Sequence, residues 1–121
     1  MPAPRYRAPA SRVLVGDFGP IGRLGLRSLL GSGQFEFANG GNADEVLARV
    51  VEGETEVVVL DRRMPEGPTA VARIAAEHPD VKVIVCSLDE STMSVFPAHG
   101  AAAYESPLNA ERLAAAMENV R

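Results

Sequence analysis

EVVVLD at residues 56–61 and VKVIVCS at residues 81–87 decide how the rest of this chain is read. Each is a short, β-branched run, apolar almost without interruption and too brief for an ordinary helix. That pattern belongs to strands covered on both faces, as in a parallel sheet with a helix layer on either side. Each run also stops abruptly at a polar residue, Asp61 in one and Ser87 in the other.

Weaker runs of the same kind flank these two, at RVLVG (12–16), FEFA (35–38) and AAAY (101–104). The stretches between them have helical character. Pro20 suits a first helical position, and Ile21, Leu24 and Leu29 follow at near-helical spacing. Asn42 with Glu45 three residues later has the pattern of a capping box, ahead of an expected buried stripe of Val46, Leu47, Val50 and Val51. Pro68 opens another helix, with Val71, Ile74 and Ala75 facing inward, that ends before His78 and Pro79. Asn109 caps the last, whose core side is Leu113, Ala116, Met117 and Val120. The segment 90–99 is the weakest. It holds Ser91, Thr92, Ser94 and Pro97, and an interior proline costs a helix about 3 kcal/mol. A short, kinked or partly unwound helix is expected there.

Five strands alternating with helices imply βαβ units, right-handed crossovers and a parallel sheet with helices on both faces. In such a sheet the functional crevice lies outside the carboxyl ends of the strands. Asp17, Asp61 and Ser87 end three of the strands and are expected to converge there. Two neighbouring carboxylates form a hard-oxygen site suited to Mg²⁺. The metal would neutralise an incoming phosphoryl group, a second carboxylate would attack it, and a serine hydroxyl would donate to its oxygens. The plainer reading makes the acids turn formers after strands and Ser87 a cap.

Composition narrows the field. The 121 residues suffice for one domain, and 46% hydrophobic with 23% charged residues is an ordinary globular balance. A net charge of −4 argues against a nucleic-acid surface on this domain. The single cysteine, Cys86, can form neither an internal disulfide nor a zinc site alone, and it reads as a buried strand residue. Residues 1–11, MPAPRYRAPAS, form a proline-rich arm expected to be flexible, with residues 12–121 as the folded domain. No signal peptide and no apolar run near 18 residues are seen, so a cytoplasmic location without membrane contact is expected. The glycines at 19, 22 and 25 read as helix packing on the sheet more readily than as a phosphate loop. His78 and His99 sit near helix ends, where a dipole favours them.

Four segments, RVLVGDFGPIGRLGLRSLL (12–30), VVVLDRRMPEG (57–67), VIVCS (83–87) and GAAAY (100–104), carry a resemblance that spans residues 12–120. In order and spacing the chain resembles the receiver domain of bacterial two-component response regulators, especially those with a helix-turn-helix output domain. The resemblance implies a flavodoxin-like (βα)5 fold with a five-stranded parallel sheet. It places Asp61 at the phospho-acceptor position, Asp17 at the first acidic position, Ser87 at the hydroxyl that senses the phosphoryl group, and Tyr104 at the aromatic switch. The metal ligands it implies are Asp17, Asp61 and the backbone carbonyl of Arg63.

The departures carry as much meaning. Phe18 stands at the second acidic position, and the expected lysine is absent around Ser106 and Pro107. The loop after Met64 and Pro65 is about two residues short on these spacings. Mg²⁺ binding is therefore expected to be weak at best, with no cofactor otherwise and no enzymatic turnover. Arg62 and Arg63 flank Asp61, and alternation lets at most one reach it. The leading expectation is an atypical receiver that signals by protein association, as a homodimer or with a regulatory partner, or by ligand binding, with a role in transcription implied by the helix-turn-helix resemblance. Its expected interaction face is Met93, Phe96, Tyr104 and Leu108, beside the small residues Ala110 and Ala114 to Ala116. A conventional receiver phosphorylated on Asp61 by a histidine kinase is the second hypothesis. A flavodoxin-like small-molecule-binding domain is the third.

Overall fold

The computed structural model describes residues 11–16, 24, 25, 28, 35–53, 55–87 and 89–117. Among them the elements run β1 (Ser11–Gly16), β2 (Phe35–Gly41), α1 (Ala43–Val51), β3 (Val57–Asp61), α2 (Gly67–Glu77), β4 (Lys82–Cys86), β5 (Thr92–Phe96), a 3₁₀ turn (Ala98–Gly100), β6 (Tyr104–Pro107) and α3 (Ala110–Met117). The first strand begins at Ser11, one residue inside the expected arm. Residues 24, 25 and 28 are helical, and Leu24 is 66% exposed. Asp17, Phe18, Gly19, Gly22, Leu29 and Val120 lie outside the described residues, as do residues 1–10 of the arm.

The strands form one sheet in the order β2-β1-β3-β4-β5-β6. The first four are mutually parallel, with Leu14 opposite Val58 and Val58 opposite Val83. Val57, Val58, Val59 and Leu60 are all at most 1% exposed, which confirms the reading of EVVVL as a strand covered on both faces. On one face Val13, Val15, Val57, Val59 and Ile84 pack with Leu113, Ala116 and Met117 of α3. On the other, Leu14, Val58, Leu60 and Val83 meet Ala43, Val46 and Val50 of α1 and Ala70 and Ile74 of α2. The result is a three-layer α/β domain of flavodoxin-like kind.

Local chemistry sets the helix starts. Asn42 Oδ1 accepts from the Glu45 amide and Glu45 Oε1 from the Asn42 amide, both at 2.9 Å, closing the capping box. Such a cap stabilises a helix by about 1 kcal/mol. Asn109 Oδ1 likewise accepts from the Arg112 amide at 2.8 Å. Pro68 sits in the first turn of α2, as expected. The inward stripes are narrower than the sequence suggests: Val51 is 68% exposed, and Ala75 is also exposed. Gly16 is a packing requirement, since an added Cβ would meet Leu60 Cδ2 and Val46 Cγ2 at 2.9 Å each. The turn before α2 places Glu66 in the left-handed region at φ 61°, an unfavourable conformation for a residue with a Cβ.

The expected parallel five-stranded sheet needs two corrections. First, the segment anticipated as the fourth helix is the strand β5, antiparallel to β4 with Ile84 opposite Val95. TMSVF alternates, so Met93 and Val95 are fully buried on the α3 face while Ser94 and Phe96 look to the other, half-buried. A period of two with β-branched residues favours a strand over a helix that would carry Pro97 near its end. Second, β6 pairs antiparallel with β5, so the sheet has six strands and is mixed. β6 therefore lies on the outer edge, one strand farther from β4 than expected. The Leu108 amide donates to Ser91 O, so by alternation position 107 turns its nitrogen away from β5. Pro107 lacks an N–H and fits that outward position. No helix among the described residues is long and apolar enough to cross a membrane.

Candidate functional site

Parallel pairing brings the carboxyl ends of β3 and β4 together. Asp61 lies opposite Cys86, and the Arg62 amide donates to Cys86 O at 2.8 Å. Asp61 is half-buried. Its Oδ1 accepts from the Arg63 amide at 2.9 Å, and its carbonyl accepts from the Met64 amide, which together fold the chain into a turn. Met64 is buried beneath that turn and anchors it to the core. Asp17, expected to complete the acidic pair, lies outside the described residues.

Neither flanking arginine pairs with Asp61. Arg62 reaches across the β4–β5 hairpin, donating through Nε to Glu90 Oε1 at 2.7 Å and through Nη1 to Ser94 Oγ at 3.3 Å. Its other terminal nitrogen approaches the carbonyls of Val85 and Thr92 at 3.4 and 3.5 Å. One side chain thus fastens the end of β3 to both strands of the hairpin. Arg63 turns the other way, as alternation requires, and pairs with Asp89.

Ser87, 3% exposed, donates through Oγ to Asp89 Oδ1 at 2.9 Å. Asp89 therefore holds both Ser87 and Arg63. The Ser87 hydrogen bond first, and the Arg63 contact second, keep its carboxyl below the usual carboxylate range. Arg63 is in turn held more firmly protonated, chiefly by its hydrogen bond to Asp89. The chain of contacts runs from Asp61 through Arg63 and Asp89 to Ser87. Asp89 and Glu90 were not foreseen from the sequence, because they reach the arginines only through the tight turn in which the Glu90 amide donates to Ser87 O.

The expected lysine is missing from more than its usual place. Lys82 is the only lysine in the chain. It lies at the start of β4 opposite Val57, at the far end of the sheet from Asp61, with Nζ on Ala116 O at 2.6 Å. Ser106 and Pro107 sit on β6, three strands from β3, roughly 14 Å away at ordinary strand spacing. Tyr104 opens the same strand opposite Val95 and is 48% exposed, well removed from Asp61.

The expected interaction face is also corrected. Met93 is fully buried in the α3-side core, and Leu108 packs against that same cluster. Phe96 packs on the opposite face with Val71 and Val85. The four therefore do not form one surface: Met93 is buried, and Phe96 lies on the face opposite Tyr104, which pairs with Val95 and so shares the α3 face with Leu108.

Among the described residues no group of three or more histidine, cysteine or acidic side chains could hold a metal ion. Asp17 lies outside those residues, and Asp89, near Asp61, is engaged by Ser87 and Arg63. Mg²⁺ takes several hard oxygen ligands in octahedral geometry, and of the three ligands expected from the sequence only Asp61 and Arg63 are among the described residues. Cys86 is no nucleophile either: burial first, and the neighbouring Asp61 second, push its thiol up to about 12.

No protein-family model and no curated protein matches the chain. Solved structures do. The signal receiver domain of an HD domain-containing protein from Pseudomonas fluorescens Pf-5 is similar with a TM-score of 0.56 and 23% identity, covering 63% of this chain and 57% of that one. The RcsB response regulator of Salmonella typhimurium gives a TM-score of 0.58 at 19% identity, over 68% of this chain and 44% of that one. An RcsB–DNA complex gives 0.56 at 18% identity, over 69% and 45%. This chain thus spans about half the length of the solved chains it matches. The likeness establishes the fold, which is that of response-regulator receiver domains.

Proposed function

We infer that this chain is an atypical receiver domain of a response regulator, one that passes its signal by binding and depends little on Mg²⁺-assisted phosphorylation of Asp61. The observation that carries this reading is the contact of Ser87 and Arg63 with Asp89. A hydroxyl and a cation are the groups that would stabilise a phosphoryl group on Asp61, and an internal carboxylate already occupies both. The position of the sole lysine at the other end of the sheet supports the same reading, since a compact point charge is lost from the site. A role in transcription would place this domain within a longer regulator. The acidic net charge assigns any DNA contact to another part of such a protein.

A second reading keeps Asp61 as a conventional phospho-acceptor served by a histidine kinase. In its favour, Asp61 ends β3 with no ion pair among the described residues. Intact mass after incubation with acetyl phosphate and Mg²⁺ separates the two. Unmodified protein is expected, and a stoichiometric phosphoryl adduct that Asp61→Asn abolishes would establish the second reading instead.

A further inference from the structure

Because residues 92–96 form a strand where a helix was expected, no helix of the described chain lies over β4 and β5 on the face that α2 partly covers. A cavity of about 360 Å³ opens there. Pro68, Val71 and Ala72 of α2 form one wall, and Leu60, Val85 and Phe96 of the sheet form the other. Its volume lies within the roughly 300–1,000 Å³ of small-molecule sites.

The polar end of this cavity is asymmetric. Asp61, Arg62 and Ser94 all line it. Arg62 is committed to Glu90, Ser94 and two carbonyls, so an anion would have to displace Glu90 to engage it. Asp61 accepts one hydrogen bond from the described residues, from the Arg63 amide to Oδ1, and its Oδ2 has no hydrogen-bond partner among them. An apolar chamber ending in an available carboxylate beside a neutralised arginine selects a particular chemistry.

We propose that this cavity is a binding site for a small, mainly apolar molecule bearing one cationic, hydrogen-bond-donating head, with the head on Asp61 and the body between α2 and Phe96. The site stands on the cavity's geometry and does not depend on the signalling reading. Phe96 and Val71 also line a second cavity of about 120 Å³ nearer Pro97 and Gly100. Rotation of the half-buried Phe96 ring would join the two, so the site has room for a longer apolar tail than its first chamber alone admits.

Three probes that share one body and differ in the head test this: 4-phenylbutylamine, 4-phenylbutanol and 4-phenylbutyrate, titrated into the full chain while methyl and amide chemical shifts are followed. The amine is expected to saturate, shifting Leu60, Val71 and Val85, and to bind about tenfold more tightly than the alcohol, as a charge-assisted hydrogen bond would give. The carboxylate should bind weakest. Asp61→Asn should bring amine and alcohol to equal affinity while preserving the apolar contact. Ala72→Trp, at an exposed position of α2, should fill the chamber and abolish all three, with circular dichroism confirming that each variant folds. Failure of every probe to saturate, shifts outside this cavity, a carboxylate that binds as tightly as the amine, or an unchanged preference in Asp61→Asn would each overturn the proposal. Phosphorylation is read by mass and this site by shifts, so either can fail without the other.

Discussion

The sheet has two halves built on different rules. From β2 to β4 the strands are parallel, and β1, β3 and β4 are covered on both faces and largely buried. From β5 to β6 they are antiparallel, alternate inward and outward, and end in a strand whose four residues are exposed or half-buried. The parallel half draws its stability from apolar area that only distant segments can cover. The antiparallel half relies on a hairpin, an arginine brace and one covered face. β4 is the seam between them, pairing in opposite senses with its two neighbours.

Mutations can break this contrast. Ile84→Ala, at a fully buried position of the seam strand, should destabilise by about 2–5 kcal/mol, and Glu105→Ala, on the exposed edge strand, by less than about 0.5 kcal/mol. Urea denaturation of both variants measures the ratio. Comparable losses would mean that the edge strand carries as much of the fold as the core.

The seam can also be probed by pH. The Cys86 thiol ionises near 9.0 in the unfolded chain and near 12 in the folded one. The folded state therefore holds its proton more tightly, and this contribution is fully present below pH 9 and is lost as pH rises toward 12. Across that window the wild type should lose stability more steeply than Cys86→Ala, by up to about 1.4 kcal/mol per pH unit. Parallel slopes in denaturation curves taken through the window would show that Cys86 is not held neutral by the seam.

The smallest expected effect separates the two arginines. Arg62→Ala should cost about 1 kcal/mol, because it releases several acceptors on the hairpin at once. It should also speed amide exchange across Thr92–Phe96 relative to Lys82–Cys86. Arg63→Ala should leave the melting temperature unchanged, since its partner Asp89 is largely exposed. If Arg63→Ala loosened the hairpin as much, the brace would belong to the turn as a whole and not to Arg62.

The same division explains what could be read from the sequence. EVVVL and VKVIVC declare themselves because burial on both faces leaves no choice of residue, and the Asn42, Pro68 and Asn109 helix starts are local chemistry within four residues. TMSVF carried its own signal, a clean alternation. That signal was outweighed by the helix which βαβ order and family resemblance both demand between two parallel strands. Misplacing it moved Tyr104, Ser106 and Leu108 by one strand and joined Met93 to Phe96 across the sheet. Asp89 was hidden for another reason. Its partners are set by the turn at 87–91, and that turn exists only because β5 folds back along β4.

Pro107 has a consequence for the molecule's behaviour in a crowded solution. A sheet whose last strand offers a full row of free amides is an invitation for another chain to add itself, and the process repeats with each addition. Here that row is interrupted at the one position where an amide would have faced outward beside Glu105, and the charge of Glu105 stands next to the gap. A strand added at this edge would find no donor at position 107 and a carboxylate beside it, which weakens growth of the sheet in that direction.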